Sequence, residues 1–76
     1  MNDLVAYDAV CEAASTAIAA VLRLADDGAM LQEHAIAEAS AIGRELVEVD
    51  AYDRSALDTL LERLTNRIAE LSGPLP

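Results

Sequence analysis

His34 is the single imidazole of the chain, and Glu38 follows it one helical turn later. A histidine and a carboxylate four residues apart on one helix can hold a metal or pass a proton between them. Glu33 is adjacent. Two ligands do not complete a metal site, although a symmetric dimer would double them. The diiron arrangement of helical bundles needs Glu-x-x-His from each of two helices, and that motif is absent here. The simpler reading is a surface histidine beside an acid. No metal and no cofactor is expected.

Cys11 could act as a nucleophile only with a base beside it and a lowered pKa. Its neighbours on a helix are Tyr7, Asp8, Glu12 and Ala14, which are apolar or acidic. A buried small hydrophobe is the better reading. Ser15, Thr16 and Ser40 have no histidine partner in the pattern. Glycine-rich phosphate loops, cysteine pairs and Asp-rich calcium loops are missing, and Asp26-Asp27-Gly28 is too short to cage calcium. No catalytic residue is assigned, and the chain is not expected to be an enzyme.

Arg63 and Arg67 share a helix face, and arginine clusters read carboxylate or phosphate bidentately. Surface ion pairs such as Arg67 with Glu70 are the plainer expectation. The stretch Val49–Leu64 has a passing likeness to the first helix of helical chorismate mutases. It lies at the wrong end of the chain, and the basic residues such a pocket needs elsewhere are missing. Neither fold nor activity is carried over from that likeness.

The elements that must carry these residues are thin. Of 76 residues 54% are hydrophobic, yet Phe and Trp are absent, only two are Tyr and sixteen are Ala. The rest of the apolar set is mainly Leu, Ile and Val at helical spacing. One domain spans 1–76. A chain this short buries roughly 60% of the surface its unfolded form exposes, so alone it is thinly stable. With Cys11 the only cysteine, no internal disulfide can help.

Fourteen acids against five Arg and no Lys give a net charge of −9. That balance opposes nucleic acid and anionic lipid, which need a cationic face. It suits a basic protein partner, or solubility alone. A lone cysteine fits a reducing cytoplasm. No basic, apolar leader is visible at the N-terminus. No uninterrupted apolar run approaches the ~20 residues of a membrane span; the best, Ala13–Leu22, is short and interrupted by Ser15 and Thr16.

Periodicity predicts an all-α fold, an antiparallel bundle of three helices over about 3–25, 29–49 and 54–72. In the first, Asn2 or Asp3 can cap, one stripe holds Tyr7, Val10, Ala14, Ala17, Val21 and Leu24, and a second holds Leu4, Cys11, Ile18 and Leu22. Gly28 suits the left-handed position past its end. In the second, Leu31, Ala35, Ile42, Leu46 and Val49 lie together, with Ile36 and Ala39 beside them. Arg44 and Glu48 can pair one turn apart. Gly43 weakens this helix or permits the close approach of another backbone. The third has the cleanest stripe: Leu57, Leu60, Leu61, Leu64, Ile68 and Leu71. Ser55 with Asp58 resembles a capping box, and Asp50 and Asp53 are further possible caps. Gly73-Pro74 ends the helix, leaving a frayed tail at 73–76. A two-helix hairpin with one long helix from Ala29 to Ser72 is the alternative, because no Gly or Pro lies between Arg44 and Ser72.

Such slender helices present more apolar surface than one copy can wrap. The expected function is protein interaction: a small acidic helical module, dimeric, of the inhibitor, immunity, antitoxin or mobile-element accessory type. The alternative is a self-assembling structural bundle with no separate partner. The expected interface residues are Val10, Ala14, Ala17 and Val21 of the first helix, with Leu57, Leu60, Leu64, Ile68 and Leu71 of the third.

Overall fold

A computed structural model describes residues 3–73, with side-chain surroundings from residue 5. The expected cap at Asn2 and the tail from Pro74 to Pro76 lie outside the described residues. Three helices follow one another: α1 (Asp3–Asp26), α2 (Gln32–Glu48) and α3 (Arg54–Ser72). The chain is an all-α, antiparallel three-helix bundle.

The first turn closes as the glycine foretold. Gly28 adopts φ +82°. Its N–H donates to the carbonyl of Ala25 at 3.1 Å, and that of Ala29 to Leu24 at 2.8 Å. This pair of bonds satisfies the carbonyls that the end of α1 leaves open. The bend continues through Met30 to Leu31, which is extended at φ −64° and ψ 136°. The helix starts three residues later than expected, where Ala35 N–H reaches the carbonyl of Leu31. Leu31 caps with no side-chain bond.

The second turn decides between three helices and the hairpin. Val49 is extended, at φ −70° and ψ 138°. Asp50 Oδ1 accepts from the N–H of Tyr52 at 2.9 Å. Asp53 Oδ1 accepts from the N–H of Ala56 at 3.0 Å and so caps α3. Short carboxylates draw backbone amides away from the helical ladder, and two of them in four residues break it. The cap is therefore Asp53. Asp58 instead meets Arg54 at 3.3 Å. Gly73, at φ +74°, closes α3.

Packing is uneven. α1 packs against both α2 and α3, whereas the Cα atoms of α2 and α3 nowhere come within 8 Å of each other. The Cα trace measures 42 × 28 × 14 Å. Its thickness matches two helix layers, since packed axes lie about 8–10 Å apart and a Cα cylinder is about 4.6 Å across. α1 forms one layer; α2 and α3 form the other, splayed. The core joins Val10, Ala14 and Ala17 of α1 to Ile42 of α2 and Leu57, Leu60 and Leu64 of α3. Val21 and Ala35 are also buried. No buried polar residue occurs among the described residues.

Two sequence expectations need correction. Cys11 is half-buried, not buried, and its sulfur pushes the phenol of Tyr7 above the ordinary tyrosine value by charge repulsion and hydrogen bonding. The segment Val5–Asp26 of α1 is long and apolar enough, by length and composition, to cross a membrane. Alanine explains the difference. It keeps the mean hydropathy high across Asp8 and Glu12, where a search for unbroken apolar runs stops. The core helix of a soluble bundle and a signal sequence meet the same criterion.

Candidate docking face

The expected interface residues do not form a surface. Val10, Ala14, Ala17, Val21, Leu57, Leu60 and Leu64 are spent inside the chain's own core. Ile68 and Leu71 are half-buried. The reason is geometric: α1 lies against both other helices, so its principal stripe and that of α3 cover each other within one copy. A side chain with no free area offers nothing to a second molecule.

The free apolar surface lies elsewhere, mainly around α2. Leu31 is 62% exposed, Ile36 53%, Val47 83% and Tyr52 81%. Only Ala35 and Ile42 of α2 are buried. Ile36 and Val47 are eleven residues apart, almost three full turns, and so share one side of the helix. Ser40 and Gly43 occupy the same side between them. This face points away from the core side of Ala35 and Ile42. Val5 and Leu22 of α1 are exposed too, and Leu22 lines a recess together with Gln32 at the start of α2.

Between α2 and α3 the gap is crossed by two arginine clasps. Arg67 Nε donates to Glu38 Oε2 at 2.6 Å, and Nη2 to Oε1 at 2.7 Å. Arg63 grips Glu45 in the same bidentate manner, Nη2 to Oε1 at 3.2 Å. Arg67 also reaches Glu70 at 3.2 Å, the pair foreseen from spacing. The guanidinium of Arg67 holds the Glu38 carboxyl below the usual carboxylate range, against a smaller opposing effect of burial. Both arginines are correspondingly held more firmly protonated. Beneath the clasps lies a recess of about 410 Å³ with Ile42 and Leu64 in its lining.

These clasps settle the fate of the His34 pair. Glu38 is taken by Arg67, and no bond joins it to His34, which is exposed. Among the described residues no three of His, Cys, Asp and Glu converge as metal ligands would. Arg44 and Glu48, expected to pair, do not do so in the structure. No family model, no curated protein and no solved structure matches this chain.

Proposed function

We propose that this protein is a small helical interaction module that acts by docking onto another protein through the outer side of α2. The observation that carries the reading is the exposure of Ile36 and Val47 on one face of a helix that buries only two of its residues. Exposed apolar side chains gathered on one face mark a binding surface where scattered ones do not. An amphipathic helix presented to a groove or to another helix is the common mode.

Charge adds a preference for the partner. Three of the five arginines, Arg54, Arg63 and Arg67, are engaged with acids of the same chain. The remaining surface is strongly acidic, which steers a basic partner in and turns acidic ones away. The role fits an inhibitor, immunity protein, antitoxin or mobile-element accessory protein working in a reducing cytoplasm, without catalysis and without nucleic acid. A self-assembling structural protein is the second reading; it uses the same face with identical copies.

Photo-crosslinking in the producing cell tests the reading. A photoreactive side chain at Val47 is expected to capture protein, and one at Glu62, exposed on α3, is not. Capture at neither position removes the docking role.

A further inference from the structure

α2 is held to the bundle less firmly than its neighbours. The buried cluster takes Val10, Ala14 and Ala17 from α1 and Leu57, Leu60 and Leu64 from α3, but Ile42 alone from α2. Ala35 is the other buried residue of this helix, and its side chain is a single methyl group. Leu46 and Val49 reach the cluster only half-buried. The backbone of α2 stays more than 8 Å from that of α3. What joins the two is the pair of clasps, Arg67 on Glu38 and Arg63 on Glu45.

The helix is also weak in itself. Leu31 caps it with no side-chain bond, whereas Asp53 caps α3 with its carboxylate. Gly43 interrupts it, and a glycine inside a helix is destabilising. A helix of 17 residues is marginal in water without a body to pack on, so α2 unwinds once it leaves α1. Leu31 before it and Val49 after it are both extended, which gives the opening unit sharp ends.

We propose that α2 is a detachable arm: it leaves α1 and unwinds as one unit while the α1–α3 pair holds, and the two arginine clasps are its catch. Local opening starts where buried apolar contact is least. Both guanidinium groups must release the carboxylates of α2 before the arm can leave, so the clasps set how often it opens. Opening bares Leu60 and Leu64, which line the recesses between α2 and α3 and are buried in the closed bundle. The device changes what apolar surface the molecule shows. It stands or falls apart from the docking reading, because it concerns the opening of α2 and not what meets its outer side.

Native-state hydrogen exchange of the whole chain, read helix by helix, tests this. In the wild type the amides of α2 are expected to exchange faster than the slowest amides of α1 and α3. Arg63→Gln/Arg67→Gln is expected to speed exchange in α2 by roughly tenfold, the loss of two partly sheltered pairs. Leu61→Ala weakens the contact of α3 with α1, since Leu61 shares a recess with Val5, Ala6 and Ala9 and with no residue of α2. It is expected to speed the slow amides of α1 and α3 and to leave α2 unchanged, because that contact survives when the arm opens. In a Cys11→Ser background, the buried thiol of Ala35→Cys is expected to be alkylated faster, by the same factor, when the clasps are removed. Amides of α2 as slow as those of α1 and α3 in the wild type overturn the proposal, and that measurement needs no variant to fold. Exchange in α2 that accelerates with Leu61→Ala as much as the rest overturns it too, being the mark of one cooperative unfolding. Unchanged exchange in α2 after loss of both clasps removes them as the catch.

Discussion

Arg67 and Glu38 bind each other through two short hydrogen bonds, 2.6 and 2.7 Å, across a gap that the backbones of their helices never close to 8 Å. Apolar packing holds α2 and α3 to α1, and long polar side chains hold them to one another. Both groups of this clasp are partly sheltered, so it outweighs an ordinary surface pair while still facing water. A double-mutant cycle of Arg67→Ala and Glu38→Ala, read by urea denaturation, is expected to give a coupling of about 1 kcal/mol. The more exposed pair of Arg63 and Glu45 is expected to give about half of that or less. Equal couplings would mean that shelter contributes nothing here.

The same clasp sets a pH dependence. Glu38 titrates below the usual carboxylate range in the folded chain because Arg67 bonds its charged form. In the acid region the unfolded chain therefore binds more protons at this site than the folded one, and stability rises with pH. The contribution is complete above the ordinary carboxylate value and disappears as pH falls through the depressed one. Glu38→Gln is expected to lower stability at neutral pH and to match the wild type near the acid limit. Denaturation midpoints measured from neutral pH down to the acid limit check this; a constant difference between the two proteins would contradict it.

Leu57 is the largest fully buried side chain, at 1% exposure. It sits where α3 meets α1, and the α1 side of the buried core is Val10, Ala14 and Ala17, short side chains that cannot reach across a new hole. Truncation to alanine in such a site costs about 2–5 kcal/mol. A domain of this size has only a few kcal/mol in total. Leu57→Ala is expected to leave much of the chain unfolded at 25 °C by circular dichroism. Val47→Ala, at a position 83% exposed, is expected to leave the thermal midpoint of the monomer unchanged.

The third helix was legible to its end residues because two kinds of signal agree there. Leucines fall at three and four, Asp53 stands free to cap, and Gly73 can take positive φ. The start of α2 was not legible: Ala29 has a high helix propensity, yet the turn runs on through Met30 to the extended Leu31 before the helix begins. Periodicity shows which apolar residues share a face, never which body covers the face. The stripes from Val10 to Val21 and from Leu57 to Leu71 thus read as an interface between copies, and most of their residues serve one copy's core. The clasps join residues 18 and 29 apart in sequence, on helices whose relative placement no local pattern fixes. Ile36 read as a neighbour of the core stripe because its offset from Ala35 is a single residue, enough to turn it toward solvent.

Gly43 weakens α2 without serving a contact inside the chain. Within one chain the glycine is a pure weakness: a methyl group at this position meets no atom within 4 Å, and glycine inside a helix costs about 1 kcal/mol relative to alanine. Gly43→Ala is therefore expected to raise the stability of the monomer by up to about 1 kcal/mol, read by denaturation of dilute protein. A stability unchanged or lowered by the added methyl would show that the helix needs glycine at this position for a reason inside the chain.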